Sequence, residues 1–401
     1  MNIGFQRIVD RRIGTLVCRF LSLLPRRDFP PKRDSRPKNI LVILLSEMGS
    51  LVLAAPMFRR ISERFPSASV HVLLFERNRE MLEILGVVPS GNIITIRDRS
   101  FAEFASDSLD AWRRMRRIGI DAAIDCELFA RASSILSFFS GAPVRAGFHP
   151  HTQDGLYRGS FINRRVLYNP YHHISRQLVD MVDTIDSDAV PASKLPDREI
   201  RFEVPLMELQ AGELEAMKER LYRDYPSLRG KELVLMNPGG GILPIRAWPQ
   251  ESYIAVAREL LALGYGVCVT GLPADRPMGE AIRTQCGSPA CVNLAGYTAT
   301  VRELMVLFHM ASLLIANDGG PGQFSAMTPI PAIVLYGPET PALYGVQNDK
   351  TVNLFASLSC SPCLTAYNHR NSPCDGDNLC LKAISPDMVL DHALALLRGR
   401  G

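Results

Sequence analysis

The residues best suited to chemistry lie in two glycine-punctuated turns of the C-terminal half. Asn317-Asp318-Gly319-Gly320-Pro321-Gly322 follows the apolar run 313–316, and Asn237-Pro238-Gly239-Gly240-Gly241 follows the apolar run 233–236. A carboxylate at the C-terminal end of a strand, beside backbone N–H groups that no side chain shields, suits a phosphate or a nucleotide-linked sugar. Asp318 can equally cap a helix beginning near residue 322. Two such turns in one half of the chain favour a phosphate site. A third grouping is Cys360-Ser-Pro-Cys363 with Cys374 and Cys380. Four thiols at this spacing could hold zinc tetrahedrally, but more loosely than a finger or ribbon. Disulfides or free thiols suit the same Pro/Asn/Gly-rich loop equally well.

Such groups need strands to hold them. The apolar run 40–45 reads as a buried parallel strand, and Met48-Gly49-Ser50 turns the chain into a helix running through 56–65. Strands at 69–75, 92–96 and 122–125 then alternate with helices at 79–85 and 101–118, which predicts a doubly wound α/β sheet. Pro191, Pro196 and Pro205 among Asp, Ser and Lys mark a domain boundary. After a polar helix at 207–222 the alternation restarts, with strands at 233–236, 266–270, 291–294, 313–316 and 332–335 and helices at 251–263, 278–286 and 301–311. The expected organisation is an arm and linker (1–37), an N-terminal domain (38–195), a similar C-terminal domain (196–385) and a closing helix (386–401), with a cleft between the domains.

A chain of 401 residues exceeds one ordinary hydrophobic core, and 47% apolar residues can fill two. The net charge of +4 conceals an asymmetry: residues 1–38 carry ten Arg or Lys against three Asp, so the remainder is net acidic. In the arm Ile13, Leu16, Val17, Phe20, Leu21 and Leu24 recur at helical spacing among Arg11, Arg12, Arg19, Arg26 and Arg27. That pattern predicts an amphipathic helix, either on an anionic membrane surface or docked on the protein's own core. It is too short and charged to span a bilayer, and Arg19 interrupts the apolar stretch that a signal peptide needs. Cys18, Cys126, Cys268, Cys286 and Cys291 sit in apolar or helical segments and read as reduced thiols of a cytoplasmic protein. Neither a glycine-lysine phosphate loop nor Gly-x-Gly-x-x-Gly follows the first strand, which removes the specific support for kinases and dehydrogenases. Arg113, Arg114, Arg116 and Arg117 lack the interleaved aromatics of a nucleic-acid surface, so no nucleic-acid partner is expected.

Several ordered segments share one resemblance. Ser46-Glu47-Met48-Gly49-Ser50 with Pro56, Asn237-Pro238-Gly239, Arg246-Ala247-Trp248-Pro249, Thr270-Gly271-Leu272-Pro273-Ala274-Asp275, Asn317-Asp318-Gly319-Gly320-Pro321, Tyr336-Gly337-Pro338-Glu339 and the Cys360–Cys363 loop appear in order. Over about 39–398 the chain resembles the ADP-heptose:lipopolysaccharide heptosyltransferases of glycosyltransferase family 9, which have two facing Rossmann-like domains (the GT-B architecture). The resemblance implies an inverting transferase without a cofactor, whose C-terminal domain binds a nucleotide-sugar donor and whose N-terminal domain binds a lipid-linked saccharide. It implies donor contacts from Asn237, Gly239, Gly240, Arg246, Asp275, Asp318, Gly319 and Gly320. Arg246 would balance the diphosphate charge and Asp275 would meet the ribose, although Arg246 can also stack on Trp248 and Asp275 can also cap a helix. Basic residues on the first helix, Arg60 and Arg64 beside Arg59, would meet the acceptor's anionic groups.

The first turn departs from the family pattern. Where Met-Gly-Asp is usual, with Asp as the general base, this chain has Met48-Gly49-Ser50. A serine hydroxyl takes no proton at neutral pH without a stronger base behind it. Glu47 is the preferred substitute, with Ser50 reduced to a hydrogen bond; Asp125, Glu127, His149 and His151 are the other candidates. The remaining alternative is a homologue that binds a nucleotide-sugar without turning it over. The expected location is cytoplasmic, peripheral on the inner face of the cytoplasmic membrane.

Overall fold

The computed structural model describes residues 8–24, 36–45, 47–128, 130–149, 157–187, 189, 191–196, 200–241, 243–367 and 370–399. They fall into two compact units, one running to Phe202 and including Ala366–Arg370, the other formed by Glu203–Thr365 and the residues after Arg370. The change of unit comes at 202/203, inside the stretch that carries Pro191, Pro196 and Pro205 and seven residues beyond 195. The arm helix belongs to the first unit, and the closing helix Pro386–Arg398 to the second.

In the first unit β1 (Asn39–Ile43), β2 (Ser69–Phe75), β3 (Ile93–Ile96), β4 (Ala122–Asp125), β5 (Val144–Phe148) and β6 (Arg164–Val166) form one sheet in the order β3-β2-β1-β4-β5-β6. Every pairing is parallel. Runs such as Ile40-Leu41-Val42-Ile43 are buried on both faces, as a helix-covered parallel sheet requires. Strand order reverses between β1 and β4, so the crevice for a ligand lies beyond their carboxyl ends, where Glu47 and Glu127 follow.

The second unit repeats the plan. β7 (Leu233–Asn237), β8 (Gly266–Gly271), β9 (Cys291–Ala295), β10 (Leu313–Asn317), β11 (Ala332–Tyr336) and β12 (Thr351–Phe355) are ordered β12-β11-β10-β7-β8-β9. Its reversal falls between β7 and β10, which pair with Ala316 opposite Asn237. Both glycine turns therefore leave adjacent strands at the switch point.

Local chemistry explains where elements begin and end. The helix Phe101–Ile118 starts where the Ser100 hydroxyl accepts from the Glu103 N–H, and it stops at Gly119 with φ of 74°. The expected first helix is two, Met48–Leu53 and Ala55–Arg64, because Pro56 brings no N–H to continue the ladder. The polar helix begins only at Glu213, after Gly212 at φ 83°, with the Glu213 carboxylate accepting from the Gln210 N–H at 2.7 Å.

The arm helix, Thr15–Leu23 preceded by a wider turn over Asp10–Gly14, packs on the helix Arg131–Phe139. Cys18 and Leu21 join Phe161 and Ile162 in a small buried cluster. The Asp10 carboxylate accepts from the Arg131 and Ala132 N–H groups at 2.8–3.1 Å, supplying the cap that Ala130 cannot. A side chain at Gly14 would bring its Cβ within 2.8 Å of the Arg131 Cβ. At the far end Ser22 Oγ accepts from the Ser160 N–H at 3.0 Å and lies 3.1 Å from the Tyr157 hydroxyl. Docking on the chain's own core is thus observed for one face of this helix.

Candidate active site

In the second unit one side chain joins the two turns. Asn317, at the end of β10, donates through Nδ2 to the Pro238 carbonyl at 2.8 Å and the Gly239 carbonyl at 3.3 Å. Its Oδ1 accepts from the Trp248 N–H at 3.0 Å and the Tyr253 hydroxyl at 3.1 Å. Both donors and both lone pairs of the amide are used, which fixes one turn against the other. Trp248 is buried, and its indole N–H donates to the Ile384 carbonyl, so it packs instead of offering a ring to a ligand.

Arg246 and Asp318 face each other beside this stitch. Both are buried, with Arg246 Nη1 3.6 Å from Asp318 Oδ2. Arg246 Nε finds no hydrogen-bond partner among the described residues. A guanidinium with unused donor capacity has the chemistry to receive an anion with several oxygens. Glu339 and Tyr336 complete the surroundings: burial, then the negative charges of Asp318 and Glu339, push the Tyr336 phenol well above its usual range. Its hydroxyl donates to the Tyr344 carbonyl at 3.1 Å.

Asp275 lies against the first turn. A Cβ on Gly239 would stand 3.1 Å from Asp275 Oδ1, and one on Gly271 would stand 2.8 Å from Asp275 Oδ2. The carboxylate also accepts from the Leu272 N–H at 2.7 Å, closing the turn that precedes the helix Arg276–Cys286. Gly240 is required by closeness: its Cβ would meet the Leu243 carbonyl oxygen at 2.8 Å. Gly319 is extended, and Gly320 opens a helix of only five residues, Gly320–Phe324. Asn237 donates to the Thr270 hydroxyl at 3.2 Å, tying β7 to β8.

In the first unit Glu47 occupies the N-cap position of Met48–Leu53, yet its side chain makes no cap. Its carboxylate instead accepts from Arg370 Nη1 at 2.6 Å, from a residue with φ of 55°. Ser50 lies one turn on, its N–H donating to the Glu47 carbonyl at 3.1 Å. The other candidates are differently engaged. Asp125 is fully buried and ion-paired with Arg158, and Ser133 and Ser134 donate to it. A carboxylate so enclosed is structural, not a base for an incoming hydroxyl. Glu127 accepts from the Leu45 N–H at 2.7 Å, His149 is buried, and His151 lies outside the described residues.

Arg60 and Arg64 are also engaged. Arg60 donates to Asp183 at 2.8–2.9 Å and Arg64 to Asp186 at 2.6–2.8 Å, so an anionic acceptor would have to compete with these carboxylates. The cysteine cluster is not assembled. Cys363 Sγ lies 3.1 Å from Ser372 Oγ, Cys374 faces Asp375 and Asn378, and Cys380 is buried behind Gly337. All nine cysteines are free, and no metal-binding group of three or more His, Cys, Asp or Glu occurs among the described residues.

Sequence reasoning missed the Asn317 stitch and the burial of Glu339. The stitch had a signal, an amide between an apolar strand and an Asp-Gly-Gly turn, but its partners lie far away in sequence. The family model for glycosyltransferase family 9 (heptosyltransferase) matches residues 109–372, more than half of the chain. The chain belongs to glycosyltransferase family 9. This glycosyltransferase is 24% identical over 385 residues to lipopolysaccharide heptosyltransferase 2 of Salmonella typhimurium, covering 90% of this chain and 99% of the relative. It is 23% identical over 309 residues to lipooligosaccharide heptosyltransferase 2 of Haemophilus ducreyi, covering 76% and 84%. Among solved structures, Escherichia coli ADP-heptose lipopolysaccharide heptosyltransferase II superimposes with a TM-score of 0.68 at 20% identity, over 90% of this chain and 99% of that one. A family 9 glycosyl transferase from Veillonella parvula gives 0.71 at 19%, over 90% and 98%. The fold of this family 9 enzyme is accordingly the GT-B type of α/β glycosyltransferase. No described helix is long and apolar enough to cross a membrane.

Proposed function

We propose that this family 9 enzyme transfers a heptose from ADP-heptose to a lipopolysaccharide-core or other lipid-linked saccharide, inverting the anomeric carbon. The observation that carries the donor reading is the buried Arg246–Asp318 pair beside two turns locked together by Asn317. Relatives support the substrate class: the Salmonella protein is named for lipopolysaccharide, and a solved structure of TM-score 0.61 is an Escherichia coli heptosyltransferase with ADP-2-deoxy-2-fluoro heptose. In this reading Asp318 takes sugar hydroxyls, and the Gly239, Gly240, Gly319 and Gly320 backbone receives the diphosphate. Asn237 holds the first turn, and Asp275 meets the ribose. Glu47 removes the acceptor hydroxyl proton as that oxygen attacks C1. The bond from C1 to the diphosphate breaks, and ADP leaves with a charge that Arg246 offsets. Arg60 and Arg64 exchange their aspartate partners for acceptor phosphates. A lipid-anchored acceptor puts this work at the anionic inner leaflet of the cytoplasmic membrane.

The test is ADP release from ADP-heptose with and without a heptose-deficient lipopolysaccharide core, read with the mass of the product. Acceptor-dependent release and a mass gain of one heptose are expected. Tight binding of ADP-heptose without release in the presence of every core acceptor would refute turnover.

A further inference from the structure

The arm helix has two apolar faces, and docking uses only one. Gly14, Cys18 and Leu21 turn to the domain, whereas Leu16, Phe20 and Leu23 are 64%, 64% and 83% exposed. Spaced i, i+4 and i+7, these three form a single stripe, which Ile13 extends at 57% exposure. A stripe of this size costs solubility unless something covers it.

The charges around it select the cover. Arg11, Arg12 and Arg19 are exposed, and within the α-helix 3.6 residues per turn sets Arg19 along the edge of the stripe away from the docked face. The only acid in the helical stretch is Asp10, which is consumed in capping Arg131–Phe139. The chain beyond Leu24 adds Arg26, Arg27, Lys32 and Arg33 against Asp28 and Asp34, so the sequence there stays net positive. Nine residues at about 1.5 Å each reach less than half of a bilayer core of ~30 Å, so the helix can lie in a membrane but not cross it.

We propose that this helix is an in-plane membrane-binding element built into the first domain. Leu16, Phe20 and Leu23 enter the acyl boundary of an anionic leaflet, and Arg12 and Arg19 meet lipid phosphates. The Asp10 and Ser22 contacts make it a rigid foot, not a flexible tether, so binding also fixes the orientation of the acceptor domain. This deepens the lipid-acceptor reading and rests on it for the choice of lipid over protein as the partner.

The test uses the full chain with vesicles of phosphatidylglycerol and phosphatidylethanolamine at low salt. Co-flotation is expected, and the triple variant L16Q/F20S/L23Q should lower the bound fraction at least tenfold at an unchanged melting temperature. Phe20→Trp gives a local readout once the emission of the native Trp112 and Trp248 is subtracted, the difference spectrum shifting to the blue with these vesicles and not with phosphatidylcholine alone. The proposal is overturned if the triple variant floats as the native chain does. It is equally overturned if the native chain is a dimer that the triple variant dissolves, because a second copy would then be the cover. Flotation without transfer to any core acceptor would sink the functional reading and leave the membrane surface standing; transfer to vesicle-embedded acceptor without flotation would do the reverse.

Discussion

Replacing Arg246 separates its part in the fold from its part in donor binding. The guanidinium and the Asp318 carboxylate are each less than a tenth exposed and 3.6 Å apart. Removing one partner of a buried pair leaves the other poorly compensated, at a cost of about 3–5 kcal/mol. A domain has only ~5–15 kcal/mol in hand, so Arg246→Ala should lower the melting temperature of the unliganded protein visibly. Loss of a hydrogen bond to a charged diphosphate adds about 1.5–3 kcal/mol to the binding free energy, or roughly a 10- to 150-fold rise in the Kd for ADP. Arg246→Lys divides the two effects. It keeps the charge facing Asp318 and so most of the stability, but a point-charge ammonium cannot present the planar fork, and its ADP affinity should fall toward that of the alanine variant. Arg246→Gln with Asp318→Asn provides the converse: melting restored, ADP affinity still low. Calorimetric titration with ADP at a temperature where every variant is folded makes the comparison. An unchanged Kd in both Arg246→Lys and Arg246→Ala would refute the assignment, whatever the melting curves do.

Glu47→Gln should lower kcat by ~10²–10⁴-fold with ADP affinity unchanged, as expected for losing a positioned base. Ser50→Ala should cost much less, and near-normal turnover of Glu47→Gln would move the base elsewhere. Arg370→Ala removes the 2.6 Å contact that holds the Glu47 carboxylate, so kcat should drop while ADP binding persists in the same titration. Asp10→Ala should destabilise the first unit by about 0.5–2 kcal/mol, the usual worth of a helix cap, read as a lower denaturation midpoint. His71 predicts a pH effect: burial first, and Arg114 second, hold its imidazole below the ordinary value of 6.5. As pH drops below about 6.5 the unfolded chain takes up the proton before the folded one, so stability present at pH 7 declines toward pH 5. His71→Leu should flatten that decline in chemical denaturation series.

The sheets were legible wherever strands are continuous apolar runs. β1, β2, β7, β10 and β11 follow from runs rich in Val, Ile and Leu, because both faces of a helix-covered strand are buried. β5 carries Arg145 and Gly147, and β6 begins Arg164-Arg165, so neither announces itself; β12 is half-polar at the sheet edge. Arg145 is tolerated inside because its Nε donates to the Phe161 carbonyl at 2.7 Å, a partner that no local pattern reveals. In the site, Asp318 and the glycine turns were visible as residue types at strand ends, whereas Arg246, nine residues beyond β7, was pointed to only by the family resemblance. Which arginines remain for a ligand was not visible, since the aspartates holding Arg60 and Arg64 lie more than a hundred residues away. The arm's two-faced helix shows the same limit: spacing discloses an apolar face, and only packing shows which residues it consumes.

The Asn317 amide has a consequence for the order of folding. Its partners Pro238 and Gly239 are separated from it by 79 and 78 positions, so the whole segment carrying β8, β9 and their helices must be synthesised before the stitch can close. Contacts of such range form late, after the loop-closure entropy of the whole intervening segment has been met. A chain stalled or cut before residue 317 would therefore hold the first glycine turn without the geometry to use it. On the donor reading proposed above, affinity for ADP would appear when the second unit completes its sheet, which would make the nucleotide a reporter of finished folding.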